Sequence, residues 1–133
     1  DAEQLAARLG VGGDVLFVGK QPQSEIRDYL SVADLFLLPS QSESFGLSAL
    51  EAMDCDVPVI ATRVGGVPEV VEDGGCGYLF EIGDVNGMAE AALRLLNDGA
   101  LHTRLGARGR EIATTRFTTD EIIPQYEALY QRL

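Results

Sequence analysis

Residues 34–53, with the sequence DLFLLPSQSESFGLSALEAM, decide the fold of this chain. The apolar run 34–38 predicts a buried β-strand that stops at Pro39, and a polar loop follows it. A helix is predicted from about Phe45, with Ser44 as its N-cap. The first N–H groups of a helix lack internal partners and its dipole is positive at that end, so this strand–loop–helix unit can bind an anion. Gly46 has no side chain and would let a phosphate approach the backbone.

Two carboxylates flank the predicted anion site. Glu43 lies in the loop, and Glu51 follows eight residues later on the helix. A carboxylate that touched a phosphate would repel it, so the pair fits better as acceptors for hydroxyl groups at either end of a phosphate-bearing ligand, such as a sugar nucleotide. The alternative is a surface charge on the loop and a solvated position on the helix. Spacing alone leaves both interpretations open.

Composition and charge exclude several classes of protein. The 133 residues correspond to about one domain, and a hydrophobic content of 46% is typical of a soluble globular chain. A net charge of −11 argues against nucleic acid or an anionic membrane surface as the main partner. The apolar runs are too short to cross a bilayer, and no signal-peptide pattern is present. We therefore expect a cytoplasmic protein without a transmembrane segment, and peripheral membrane association stays open.

The sequence lacks the common signatures of metal and nucleotide enzymes. Cys55 and Cys76 do not have metal-ligand spacing, and His102 is far from both in sequence. We expect two reduced, partly buried thiols and no metal site. A Walker loop, a GxGxxG motif and a Ser-His-Asp set are also missing, so the usual kinase, dehydrogenase and hydrolase signatures are absent.

Apolar runs alternate with amphipathic segments along the chain. Strands are predicted at 15–18, 34–38, 57–61 and 78–80. Besides the helix that carries Glu51, helices are predicted at 3–9, 24–32, 67–72, 84–96, 101–114 and 120–133. This alternation indicates an α/β fold: a Rossmann-like parallel sheet with helices on both faces. Ligands bind such sheets beyond the carboxyl ends of the strands, where loops 19–21, 40–44 and 62–66 should meet.

Other residues at this edge have ordinary interpretations. Gly65 and Gly66 predict a tight strand-to-helix turn. Lys20 is either a phosphate contact or a surface lysine, and Arg63 is either part of the site or one partner of a salt bridge. A solvated helix face is expected for Arg104, Arg108 and Arg110.

The segment from Glu43 to Glu51 resembles the E-x7-E signature of retaining glycosyltransferases of family 4. Neighbouring blocks resemble the same family in the same order, at residues 17–19, 33–40, 58–62, 64–69 and 77–79. The resemblance implies the C-terminal half of a GT-B fold, with residues 1–133 as a single partial domain that binds a nucleotide-sugar donor. It also implies that the first strands of this domain and the whole N-terminal, acceptor-binding domain are missing, so the fragment alone should not catalyse transfer.

The resemblance also implies roles for individual residues. Glu51 would accept both ribose hydroxyls, and Glu43 would have the catalytic role of positioning the donor sugar. The diphosphate and sugar would contact Ser44, Phe45, Gly46 and Leu47. The edge of the base, uracil in this family, would meet Gly19, Lys20 and Gln21. No metal and no cofactor would be needed besides the donor substrate.

Within the family, residues 17–21 and 124–130 look most like the N-acetylglucosaminyl L-malate synthases. This subfamily implies UDP-N-acetylglucosamine as the donor and L-malate as the acceptor. The alternatives are a mannosyl- or glucosyltransferase with another acceptor, a glycogen synthase or sugar phosphorylase relative, or a sugar-nucleotide binding module without catalysis. A homo-oligomer is possible in each case.

One position departs from the family pattern. Where the family usually has Ala-Cys-Gly before the strand at 57–61, this chain has Asp54, Cys55 and Asp56. If the glycine position requires a positive φ, we expect Asp56 to adopt it with some strain.

Overall fold

The computed structural model describes residues 1–117. In chain order the helices and strands are α1 (Ala2–Arg8), a 3₁₀ turn (Gly12–Asp14), α2 (Gln23–Val32), β1 (Phe36–Leu38), α3 (Leu47–Asp54), β2 (Val59–Thr62), α4 (Val67–Val70), β3 (Gly77–Phe80), α5 (Val85–Asn97) and α6 (Gly99–Arg116). The helix predicted at 120–133 and the resemblance at 124–130 lie outside the described residues.

The described strands form a parallel sheet in the order β1-β2-β3. Leu37 lies opposite Ile60, and Ile60 lies opposite Tyr78 on the other side. All four residues of the central strand β2 are buried. Parallel strands with both faces covered have continuous apolar sequences of this kind, so the predicted α/β class is confirmed.

Alternate side chains of β2 enter two separate cores. Val59 and Ala61 pack with the buried face of α3 on one side of the sheet, whereas Ile60 packs with α5 on the other. Ala49, Ala52 and Met53 on α3 are completely buried. The predicted arrangement of helices on both faces of the sheet is therefore confirmed, and it fixes where the first turn of α3 lies.

Helix α6 packs closely against α3. Asp98 caps α6 by accepting a hydrogen bond from the backbone N–H of Leu101 at 3.1 Å. At Gly106 a side chain would collide with the backbone carbonyl oxygen of Asp56. The missing side chain therefore allows this helix to approach the turn that follows α3.

The turn after α3 contains the departure from the family pattern. Asp56 has φ 62°, so the backbone at this position does adopt a positive φ. Asp tolerates this conformation better than most residues with a side chain but less well than glycine. Its carboxylate accepts a hydrogen bond from Arg110 at 3.0 Å.

The strand predicted at 15–18 is not formed in the described part of the chain. This segment is exposed, and Leu16 is 81% accessible to solvent. A strand needs hydrogen bonds from a neighbour, and among the described residues segment 15–18 pairs with no strand of the sheet. The apolar pattern therefore gave the wrong secondary structure here because it contains no information about a partner strand.

The cysteines are separate free thiols, as predicted. Cys55 is half-buried and Cys76 is buried. Burial raises the pKa of both thiols, so neither is activated as a nucleophile.

Candidate functional site at the carboxyl edge of the sheet

The loop after β1 holds Glu43 in a defined position. The Ser40 hydroxyl donates a hydrogen bond to Oε1 of Glu43 at 3.0 Å. Thr62, the last residue of β2, donates from its own hydroxyl to the backbone carbonyl of Ser40. Glu43 is half-buried rather than freely exposed. The ends of two adjacent strands thus support this carboxylate.

The glycine pair after β2 allows this loop to pack against it. Gly65 has φ 52°, and a Cβ there would collide with the carbonyl oxygen of Glu43. A Cβ at Gly66 would lie 2.8 Å from the carbonyl oxygen of Ser44. The turn predicted at these glycines is present, and its further effect is the close approach of two loops.

Helix α3 begins two residues later than predicted, at Leu47. Its N-cap is Gly46 in the left-handed conformation, with φ 78°, and no side chain caps the helix. The prediction of Ser44 as N-cap is therefore wrong. A residue at the N-cap of a helix usually has extended φ/ψ, whereas here the tight contact with Gly66 turns the chain sharply before the helix.

Glu51 lies in different surroundings, on the wall of a groove between α2, α3 and α6. The groove has a volume of about 860 Å³ and is lined by Gln23, Ser24, Arg27, Leu30, Leu47, Leu50, Glu51, Asp54, Ala113, Thr114 and Phe117. The volume lies within the range of small-molecule sites. Glu51 is half-buried. Within residues 1–117 its carboxylate has no hydrogen-bond or ion-pair partner, whereas Arg27 and Asp54 in the same groove pair with each other at 3.1 Å.

The loop predicted to edge a base leads into this groove. Gly19 has φ 66°, and the side-chain amide of Gln21 donates a hydrogen bond to the Val18 carbonyl. Lys20 is exposed. The loop precedes α2, whose first residue, Gln23, lines the groove. Gln23 and Glu51 thus line one groove, whereas neither residues 19–21 nor Glu43 are among its lining residues.

The arginines near the site have structural partners. Arg63 pairs with Asp73 at 3.1 Å and with Glu81 at 3.6 Å, which agrees with the salt-bridge interpretation. Arg108 is half-buried and makes two hydrogen bonds to the Glu72 carboxylate, at 3.2 and 2.9 Å. These hydrogen bonds lower the pKa of Glu72. The prediction of a solvated arginine face is therefore wrong at Arg108, because α6 packs against the segment after α4.

Two polar residues of the site were predicted only as members of the loops at 40–44 and 62–66. No role was assigned to Ser40 or Thr62, although Thr62 ends the apolar strand β2 and Ser40 follows β1 after Pro39. Thr62 is only 1% exposed. A hydroxyl residue at the carboxyl end of a buried strand is a signal that could have identified it, because a buried hydroxyl needs a partner.

The described residues contain neither a metal-binding cluster of acidic, histidine or cysteine side chains nor a membrane-spanning helix. No group of three or more His, Cys, Asp or Glu side chains within residues 1–117 could hold a metal ion. No helix in that range combines the length and apolar character needed to cross a membrane.

The sequence is similar to glycosyltransferases. Residues 1–112 match the model of the family described as "Glycosyl transferases group 1". The chain is 48% identical over 127 residues to N-acetyl-alpha-D-glucosaminyl L-malate synthase of Bacillus anthracis. That match covers 96% of this chain and 33% of the relative. The chain therefore spans about a third of the length of the curated relatives it matches.

The structure is similar to solved glycosyltransferases. The C-terminal domain of a glycosyl transferase group 1 family protein from Francisella tularensis superposes with a TM-score of 0.81 and 31% identity, covering 88% of this chain and 60% of that one. The Anabaena protein HepE, solved in complex with UDP-glucose, superposes with a TM-score of 0.86 and 29% identity, covering 99% of this chain and 36% of that one. These likenesses confirm the predicted GT-B type of fold.

Proposed function

Because this chain belongs to the glycosyl transferases group 1 family, we propose that it is the donor-binding part of a retaining glycosyltransferase and that its donor is UDP-N-acetylglucosamine. The observation that carries the proposal is the 48% identity with a synthase whose name specifies N-acetylglucosamine. The complexes of a structural neighbour with UDP and with UDP-glucose support a uridine nucleotide as the carrier of the sugar.

In this proposal the groove beside α3 takes the nucleoside. Glu51 accepts hydrogen bonds from the ribose hydroxyls, for which its carboxylate is available among the described residues. Loop 19–21 borders the base in this proposal, because it precedes α2, whose first residue Gln23 lines the groove. Since the nucleoside is uncharged, a carboxylate on this wall stabilises it without repelling phosphate.

The diphosphate then lies at the first turn of α3, between the two carboxylates. The segment from Ser44 to Leu47 presents backbone N–H groups there, and the positive end of the helix dipole favours the developing charge of the leaving diphosphate. Glu43 accepts a hydroxyl of the donor sugar and orients its anomeric carbon. These interactions supply electrostatic stabilisation and positioning, and no side chain of the site is assigned as a nucleophile.

Transfer also requires a binding site for the acceptor, and no residue of the described site is assigned to that task. We propose L-malate as the acceptor, by analogy with the Bacillus anthracis relative, and a separate domain of the complete polypeptide as the place where it binds. Residues 1–133 alone should then bind donor without transferring sugar. The absence of a metal or cofactor requirement, a cytoplasmic location and a homo-oligomer stay predictions.

The proposal is tested by calorimetry on the complete polypeptide that carries this sequence, with UDP and UDP-N-acetylglucosamine as ligands. Glu51→Ala should weaken UDP binding about tenfold to a hundredfold, the range for hydrogen bonds to a charged group. Glu90→Ala is the matched control, because Glu90 is an exposed glutamate on α5, on the opposite face of the sheet. Equal UDP affinities for the wild type and Glu51→Ala would remove the assigned role.

Sugar transfer is measured on the same protein with L-malate as the acceptor. Formation of N-acetylglucosaminyl malate with retained anomeric configuration supports the complete proposal. Donor binding without transfer to any acceptor offered would instead favour a non-catalytic sugar-nucleotide binding module.

A further inference from the structure

We propose that Ser40 and Thr62 are positioning residues that together orient the Glu43 carboxylate towards the donor sugar. This inference rests on the proposed function, because it takes Glu43 as the residue that contacts the sugar. Neither residue need touch the donor. Both act through hydrogen bonds that begin at the end of β2 and finish at one oxygen of Glu43.

The first step is the contact between Ser40 and Glu43. A glutamate in a surface loop normally samples several rotamers and would present its carboxylate in many directions. Here the Ser40 hydroxyl donates to Oε1 at 3.0 Å, and the side chain is half-buried. One oxygen is fixed by the protein, so the other, Oε2, is left to accept a hydroxyl of the ligand.

The second step is the buried hydroxyl of Thr62. Thr62 is 1% exposed, and it is the one buried residue with a polar side chain within residues 1–117. Its hydroxyl donates to the carbonyl of Ser40, and it also lies 3.4 Å from the carbonyl of Leu38. A valine of the same shape would fill the same space, so packing does not explain a threonine here. The hydrogen bond that anchors the backbone of Ser40 explains the threonine.

The third step is the packing of the Glu43 loop against Gly65. The carbonyl of Glu43 packs so closely on Gly65 that no side chain fits between them. The Glu43 backbone therefore rests directly on the turn that follows β2, beside the Thr62 hydroxyl that anchors Ser40. Preorganised contacts of this kind lower the cost of orienting a substrate, so their loss should appear in the reaction rate and in sugar binding rather than in nucleotide binding.

The test is a double-mutant cycle on the complete polypeptide, with Ser40→Ala, Glu43→Ala and the double variant, because alanine removes both oxygens that the Ser40 hydroxyl could reach. Ser40→Ala should lower kcat for transfer or for hydrolysis of UDP-N-acetylglucosamine about tenfold, with the affinity for UDP unchanged within about twofold. The double variant should be no slower than Glu43→Ala alone, because Ser40 acts only through the Glu43 carboxylate. Ser40→Thr keeps a hydroxyl and should restore most of the rate.

Ser42→Ala is the matched control, since Ser42 is an exposed serine of the same loop. Thermal melting of each variant separates a loss of fold from a loss of positioning. If Glu43→Ala lowers kcat and Ser40→Ala does not, the positioning inference is overturned while the role of Glu43 stands. If Glu43→Ala has no effect, both the inference and the proposed role of Glu43 are overturned. Multiplying effects in the double variant would also overturn it, because they would show that Ser40 acts independently of Glu43.

Discussion

Glu43 and Glu51 belong to one short motif, yet their surroundings have little in common. Glu43 lies in a loop, where Ser40 binds its carboxylate and Gly65 packs against its backbone. Glu51 lies on a helix, and its carboxylate lines an open groove without a partner among the described residues. The difference shows that a helix orients a side chain through its own backbone, whereas a loop needs support from a neighbouring strand.

The largest expected effect comes from adding a side chain at Gly65, because it would occupy space that the Glu43 loop fills. Gly65→Ala should destabilise the protein by about 3 kcal/mol, because it adds a steric collision with the Glu43 carbonyl to the cost of φ 52°. Gly74→Ala is the control: Gly74 has φ 83° but no atom near a Cβ. It should lose only about 1 kcal/mol. Urea unfolding measures both, and equal losses would show that the collision is relieved at no cost.

A smaller effect is expected when the hydrogen bond from Thr62 to the Ser40 carbonyl is removed without enlarging the side chain. Thr62→Val should destabilise by about 1–2 kcal/mol, because the Ser40 carbonyl loses its buried donor. The groove beside Glu51 should be unaffected, so UDP affinity should stay within about twofold of the wild type. Thr62→Ser keeps the hydroxyl and serves as the comparison in urea unfolding and UDP titration. A large loss of UDP affinity in Thr62→Val would mean that the two regions are not independent.

An ion pair stabilises the packing of α6, one of the helices of the groove. Its contribution to the free energy of unfolding should depend on pH. Helix α6, which lines the groove with Thr114, is tied to the rest of the fold by the ion pair of Arg108 with Glu72. Hydrogen bonds from Arg108 hold the pKa of Glu72 below its ordinary value. The stability from this pair is therefore complete above the unfolded pKa of about 4.3 and is lost as the pH falls through the lower folded value.

Urea unfolding of Arg108→Gln between pH 7 and pH 3 checks this. The stability difference from the wild type should be largest near neutral pH and should shrink as Glu72 becomes protonated. Arg104→Gln is the matched control, because Arg104 is exposed on the same helix and has no ion pair among the described residues. A difference that stays constant with pH would contradict the assignment.

The smallest effect is expected at Asp56, in the turn after α3. Asp56→Gly should stabilise by at most about 0.5 kcal/mol, because relief of the left-handed strain is partly offset by loss of the exposed ion pair with Arg110. Asp56→Asn removes the charge and keeps a residue that tolerates this conformation, so it isolates the ion pair. Thermal melting measures both. A clear destabilisation by Asp56→Gly would show that the ion pair outweighs the strain.

Much of the fold could be predicted from local patterns. The apolar runs that became β1, β2 and β3 were identified to within two residues, because buried parallel strands have continuous apolar sequences. The run at 15–18 is equally apolar and forms no strand in the described structure. A pattern of side chains indicates that a segment would suit a sheet, but the hydrogen bonds must come from another segment.

The candidate site was predictable in part. Its two carboxylates and the nearby helix start could be identified from spacing and from the family resemblance, and their roles stay predictions. Ser44 was expected to cap α3, but Gly46 does so in a left-handed conformation. That geometry depends on the contact with residues about twenty positions further along the chain, which no capping rule includes.

The amino-acid sequence by itself therefore determined the class of fold, the family and the order of the loops at the carboxyl edge of the sheet. These follow from hydrophobic periodicity and from motifs within single segments. Only the tertiary structure decided that Ser40, Thr62 and Gly65 support Glu43, while Glu51 lines a groove with α2 and α6. Those contacts join residues from different strands and helices, so they exist only after the chain has folded and brought the segments together.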